Sequence, residues 1–93
     1  MKINQVETGV KGAFEALENE EKAGTVTYTW AGQDKIIIDH TEVAEAFGGQ
    51  GVGKALVMAA VDFARAKNIK IMPLCPYAKS VFQKDKTLED VLF

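Results

Sequence analysis

The sequence predicts an α/β fold, a mixed sheet in which antiparallel strands lead into one parallel βαβ pair. Three observations point there. Val26, Tyr28 and Trp30 alternate with Thr25, Thr27 and Thr29, and β-branched and aromatic residues at period two mark a half-buried strand. Ile36-Ile37-Ile38 is apolar on both faces, which suits a strand inside a sheet rather than at its edge. Val52, Leu56, Ala59, Ala60 and Phe63 recur at helical spacing and make one apolar stripe.

Taken in chain order, a short first strand lies around Gly12 to Leu17, and the polar run Glu18 to Lys22 suits a solvated turn. The second strand runs from Gly24 to Trp30, and Ala31-Gly32-Gln33-Asp34 reads as a hairpin turn into a third strand, Lys35 to about Val43. A glycine cluster follows, then the helix with the apolar stripe. Asp62, Arg65 and Lys67 fall outside that stripe, and Asn68 closes the helix with basic residues in its last turn, where the macrodipole favours them. Ile69 to Leu74 forms a fourth strand. A strand, a long helix and another strand imply a right-handed crossover, with strands three and four parallel. Beyond Pro76, Tyr77 to Lys84 forms a short amphipathic helix with Tyr77, Val81 and Phe82 inward. Asp85 to Phe93 is a tail whose Leu88, Val91, Leu92 and Phe93 pack back on the domain.

Composition narrows the class. At 93 residues there is room for a single domain. A formal charge of -2 and a pI near 5.3 argue against nucleic acid, whose partners carry a basic footprint. The lysines are spread along the chain rather than gathered. No apolar run approaches the ~18 residues that span a bilayer, and Met1 to Gln5 lacks the apolar core of a secretory signal. Cys75 is the single cysteine; a free thiol fits a reducing compartment, so a cytoplasmic location is expected. One histidine and one cysteine supply too few soft ligands for a metal site.

The segment that carries chemistry is Gly48-Gly49-Gln50-Gly51-Val52-Gly53-Lys54, between a strand and a helix. Glycines let the backbone turn tightly and let a ligand approach main-chain atoms without a Cβ in the way. The first helical N–H groups have no intrahelical partners and carry the positive end of the dipole, so the segment suits a pyrophosphate. Gly48 to Lys54 satisfies a Walker A loop up to its last position, where Ala55 replaces the Ser or Thr that holds Mg²⁺. Gly49, Gly51 and Gly53 have the wrong spacing for a dinucleotide fingerprint, and only one βαβ unit fits the chain.

The third pattern that fits is [RQ]-x-x-G-x-[GA], and here the sequence resembles the GNAT superfamily of N-acetyltransferases. Gly51 and Gly53 occupy its two glycine positions, while Gly48 stands where most members have Arg or Gln. The flanks extend the likeness. Ile38-Asp39-His40-Thr41-Glu42-Val43 before the loop and Lys70 to Tyr77 after it look like the small single-domain GNAT-like proteins. The resemblance covers roughly Val26 to Leu92. It implies a GNAT-like minimal fold and acetyl-CoA as cosubstrate, bound by the loop and by main-chain groups of Thr41, Glu42 and Val43 where the parallel strands splay. Full-sized members have further helices and strands that shape the acceptor site.

The resemblance also places Cys75 across the splay from Thr41 to Val43. Either an amine attacks directly and Cys75 or Tyr77 returns a proton to the departing thiolate, or Cys75 takes the acetyl group first. A thiol near the start of the helix at Pro76 is expected to have a lowered pKa, although buried cysteines often only fill space. His40 is a candidate base, with Glu42 on the same face as its alternative. A direct Asp39–His40 dyad is not expected, because neighbouring strand residues point to opposite faces. Trp30 and Tyr28 are read as sheet packing. Three functions follow: transfer to a small-molecule or peptide amine, a non-catalytic acyl-CoA-binding module, or a structural protein that binds no CoA. A homodimer is a further expectation, since a second copy could supply acceptor walls.

Overall fold

The computed structural model describes residues 1–93. Its sheet has five strands in the order β1-β2-β3-β4-β5: β1 Lys2–Thr8, β2 Lys11–Glu18, β3 Glu21–Trp30, β4 Lys35–Val43 and β5 Lys70–Pro73. The first four pair antiparallel and β5 runs parallel to β4. Helix α1 (Val52–Lys67) connects that pair, and α2 (Pro76–Lys84) follows β5. One 3₁₀ turn, Glu45–Phe47, precedes the glycine loop, and another, Lys86–Val91, follows α2. No helix is long and apolar enough to cross a membrane.

The predicted α/β class and parallel pair are what the chain forms. Phe14, Ala16, Val26, Tyr28, Ile36, Ile38 and Ile71 line one sheet face and meet Val52, Leu56, Val57, Ala60, Val61 and Ala64 of α1. Ala78, Val81 and Phe82 of α2, with Leu88 and Val91 beyond it, join the same cluster. The other sheet face, with Thr25, Thr27, Thr29, Ile37 and Met72, is only half-buried. Ile37 therefore lies inside the sheet, as its run predicts, yet on the side that neither helix covers. Asn68 caps α1 in the left-handed region (φ 58), its N–H reaching the carbonyls of Ala64 and Arg65.

Strand β1 was invisible to hydrophobic periodicity, since its apolar residues are only Ile3 and Val6. Its polar side chains hold it instead. Gln5 Nε2 donates to the Tyr28 hydroxyl at 2.7 Å, and that hydroxyl donates to Glu7 Oε2 at 2.6 Å. Trp30 Nε1 reaches the same oxygen at 2.8 Å. Burial first, then the Glu7 carboxylate, pushes the Tyr28 phenol up to about 12. Tyr28, Phe14, Trp30 and Phe63 pack as one aromatic group with centroids 5.5–6.0 Å apart, the packing role read for Tyr28 and Trp30.

Three local expectations need correction. The polar turn shrinks to Asn19-Glu20, both at positive φ, because β3 already begins at Glu21. Tyr77 is 41% exposed rather than inward; Ala78, Val81 and Phe82 form the buried face of α2. In the tail, Leu88 and Val91 are buried but Leu92 and Phe93 stay exposed, the Phe93 ring lying under the Lys35 ammonium at 4.0 Å. The Phe93 N–H still bonds to the Ile71 carbonyl at 2.8 Å, closing the outer edge of β5.

Candidate functional site

The site begins with a defect in pairing. Lys35 to Ile38 of β4 pair with Lys70 to Pro73, and there β5 stops. Pro73 ends the strand, and the amides of Leu74 and Cys75 converge on the Ile38 carbonyl at 3.1 and 3.2 Å. The chain then turns into α2, with Pro76 at its first position, where a missing N–H costs nothing. Asp39 to Val43 keep only β3 as a neighbour. Ala44 N–H bonds to the Ala23 carbonyl. Main-chain groups alternate sides along an antiparallel strand, so those of Thr41 and Val43 face the unpaired edge.

A β-bulge sits at this junction. Tyr28 pairs with Ile38 and Thr27 with His40, leaving Asp39 without a partner. An extra residue shifts side-chain parity. Uniform alternation from Ile36 and Ile38 would have sent His40 and Glu42 into the core. The bulge instead puts Thr41 opposite Val26 on the helix-covered face, and His40 and Glu42 opposite Thr27 and Thr25 on the other face. Asp39 also reaches that face, accepting from Thr29 Oγ1 at 2.6 Å. The Asp39–His40 dyad is absent as expected, but alternation is not the reason: each residue has another partner.

Thr41 and Cys75 meet across the splay. The Cys75 thiol donates to Thr41 Oγ1 at 3.3 Å and is 6% exposed. Burial pushes the thiol pKa up, but the Thr41 hydroxyl and the amides of Ala78, Tyr77 and Thr41 outweigh it and hold it below the ordinary thiol value. The Thr41 hydroxyl, and after it the first turn of α2, thus ease deprotonation relative to a free cysteine, the direction expected for a cysteine at a helix start.

The glycine loop closes the other side. Gly49 and Gly51 have φ of 78° and 77°, which a residue with a Cβ enters only at a cost. Gly48 has an ordinary φ of -61°, so its backbone does not demand glycine. Gly51 is the N-cap of α1 and offers no side-chain cap. The first helical bond from this end runs from Ala55 N–H to the Gly51 carbonyl, which leaves the amides of Val52, Gly53 and Lys54 pointing out of the helix. At Gly53 the need is space, for a Cβ there would lie 2.9 Å from the Tyr77 ring.

These parts enclose a cleft of about 380 Å³ lined by Thr41, Val43, Phe47, Gly48, Gly49, Gly51, Val52, Gly53 and Tyr77. Most of the predicted binding residues thus come together. Gln50 and the Lys54 side chain lie outside it, and Glu42 lines a smaller cleft of about 220 Å³ on the opposite side of β4 with Lys22 and Thr25. His40 Nε2 pairs with Glu42 Oε1 at 3.1 Å, and both side chains are about two-thirds exposed (65% and 69%). His40 is therefore across the strand from Cys75 and Tyr77, not beside them. Phe47 was missed; an isolated apolar residue before a glycine cluster carries no periodic signal.

The chemistry available is anion binding by main-chain donors, pairing along an open strand edge, and proton transfer from a phenol or thiol. Known proteins share this fold. Residues 13–91 match the profile of the GCN5-related N-acetyl-transferase family. A GCN5-like protein from Staphylococcus aureus, solved by NMR, superposes with a TM-score of 0.75 and 35% identity, covering 99% of this chain and 87% of its own. A GNAT family acetyltransferase from Elizabethkingia anophelis with acetyl-CoA bound superposes at a TM-score of 0.62 and 25% identity, over 69% of this chain and 42% of that one. The protein NATD1 of Xenopus tropicalis is 33% identical over 58 residues, 62% of this chain. The match spans 53% of that protein, so the chain covers about half the length of its curated relative. With the profile matched over most of its length, the chain belongs to the GCN5-related N-acetyltransferase family.

Proposed function

We propose that residues 1–93 form one minimal domain that transfers an acetyl group from acetyl-CoA to an amine, in the reducing setting that its single free thiol fits. The observation that carries this is the coincidence of two features in one cleft: an unpaired strand edge at Thr41 and Val43, and uncapped helix amides behind Gly49 and Gly51. A pyrophosphate needs such amides, and a chain of amides such as pantetheine needs such an edge. The donor set therefore fits the group.

Acetyl-CoA supplies an acyl thioester. The amides of Val52, Gly53 and Lys54 hold its pyrophosphate, with the flanking loop main chain from Gly48 to Gly51. Thr41 and Val43 align the pantetheine by main-chain pairing. The Tyr77 hydroxyl gives a proton to the departing thiolate, because Tyr77 lines the cleft whereas Cys75 is buried beneath it. The amine approaches from the opposite face of β4. There His40, with Nε2–H donating to Glu42, leaves Nδ1 to take the amine proton. Cys75 holds the Thr41 hydroxyl in place on this reading. Burial of Cys75 and separation of His40 from Tyr77 are what favour the alternative, a module that binds CoA without turnover.

Calorimetric titration with acetyl-CoA, CoA and ATP–Mg²⁺, followed by CoA release with a panel of amines, tests the proposal. Binding of the CoA forms alone with amine-dependent release supports transfer. Binding without release leaves the module, and binding of ATP alone would overturn both.

A further inference from the structure

We propose that a cleft at the far end of α1, lined by Gln5, Glu7, Trp30, Phe63 and Lys67, binds a zwitterionic α-amino acid with an aromatic side chain. Its volume is about 400 Å³, within the ~300–1,000 Å³ of sites for small molecules. It is separate from the donor cleft. Gly51 and Val52 line that one at the start of α1, whereas Phe63 and Lys67 stand near the end of the same 16-residue helix, about 24 Å long. In the sheet, Trp30 pairs with Ile36 near the start of β4, and Thr41 and Val43 lie at its other end. The inference therefore stands independently of acetyl-CoA binding.

One side of the cleft is a fixed carboxylate. Glu7 Oε2 accepts from the Tyr28 hydroxyl at 2.6 Å and from Trp30 Nε1 at 2.8 Å, and Oε1 is left for a ligand. Gln5 Nε2 donates to the same Tyr28 hydroxyl at 2.7 Å, which leaves Gln5 Oε1 as a second acceptor. Hydrogen bonds from Tyr28 and then Trp30 hold the Glu7 carboxyl below its ordinary range, so it is ionised. An ammonium group suits these acceptors, and the neighbouring indole adds an aromatic face to it.

Lys67 supplies the opposite charge. It takes part in none of the ion pairs of the structure, yet it acts on Glu7 from across the cleft. A ligand with a positive charge alone would gain at Glu7 and lose at Lys67. One with an ammonium for Glu7 and a carboxylate for Lys67 turns a distant pair into two contacts. Glu7 is held by two hydrogen bonds, while Lys67 is a long flexible arm on the last turn of α1. The anchor is rigid and the clamp adjusts. Between them Trp30 and Phe63, edge to face with centroids 6.0 Å apart, form an apolar wall. The Trp30 N–H is spent on Glu7, so the indole presents its ring, which matches an aromatic side chain.

Trp30 is the single tryptophan of the chain, so its fluorescence reads this cleft directly. Titration of the full chain with L-phenylalanine, exciting tryptophan alone, should give a saturable change with a Kd of about 1 mM, ordinary for a ligand of that size. Phenethylamine lacks the carboxylate and N-acetyl-phenylalanine lacks the ammonium; each should bind at least about fivefold more weakly. K67Q lies on an exposed helix turn and should bring L-phenylalanine down to the affinity of phenethylamine. It should leave phenethylamine no weaker, which also shows that the variant folds. Absence of a saturable change in the wild type, equal affinity for L-phenylalanine and phenethylamine, or undiminished L-phenylalanine affinity in K67Q overturns the amino-acid site. None of these outcomes touches the donor cleft, whose ligand plays no part in the readout.

Discussion

The two halves of β4 use one strand in opposite ways. Lys35 to Ile38 are paired on both sides, by β3 and β5, and put fully buried Ile36 and Ile38 under α1. Asp39 to Val43 have β3 alone, and their side chains divide between Thr41, which meets Cys75, and exposed His40 and Glu42. The change occurs within one residue, at the bulge. The first half spends its main-chain hydrogen bonds on the fold, while the second half keeps some for a ligand. An unpaired strand edge is a hazard in most proteins; here it is short, faces a cleft and is flanked by the glycine loop.

The contrast can be broken from either side. In the paired half, Ile36→Ala should cost about 2–5 kcal/mol, a large fraction of the ~5–15 kcal/mol that holds a small domain together. Chemical denaturation should show the loss. Ile36→Val, at about 1 kcal/mol, should leave acetyl-CoA affinity per folded molecule unchanged. In the open half the ranking reverses. Gly51→Val forces a β-branched residue to φ 77°, at a strain of about 1–3 kcal/mol, and moves the α1 amides. Affinity for acetyl-CoA should fall about a hundredfold while the far-ultraviolet circular dichroism remains native. An unchanged affinity would detach the loop from donor binding.

Tyr77→Phe sharpens the assignment of the acid. It keeps the ring on Gly53 and removes the hydroxyl that donates the proton, so kcat should drop at least tenfold with KM little changed. If Cys75→Ala is the variant with the larger loss in kcat, the proton or the acetyl group passes through the thiol instead. A smaller effect concerns pH. Because the Cys75 pKa lies below the ordinary thiol value, thiolate absorbance should rise at lower pH than for a free cysteine. Thr41→Val, lacking the hydroxyl, should move that titration back up. The smallest effect is far from the cleft. Hydrogen bonds from Tyr28 and then Trp30 hold the Glu7 carboxyl below its ordinary range. Its stabilising contribution is thus complete above that range and lost as pH falls through the folded-state value. Glu7→Gln should flatten the acid limb of a stability–pH curve.

Much of this was legible in the residues. The alternation of β3, the triple isoleucine and the stripe of α1 are hydrophobic patterns, and they located the βαβ unit to within a residue or two. The glycine loop was legible because glycines so dense within one short segment have few other uses. Strand β1 was not, since Gln5 and Glu7 bind it through hydrogen bonds to Tyr28 and Trp30 rather than through an apolar face. The face of His40 was not legible either, because a one-residue bulge at Asp39 reverses parity without altering composition.

The central claim is that the unpaired half of β4 and the glycine loop form one donor site. Titrating acetyl-CoA into isotopically labelled protein while following backbone amide shifts tests it most directly. Saturable shifts at Thr41, Val43, Gly49, Gly51 and Val52, with Ile36 and Ile37 unmoved, are the predicted result. Saturable binding that shifts only residues outside the cleft, or no saturable shifts at all, would contradict it.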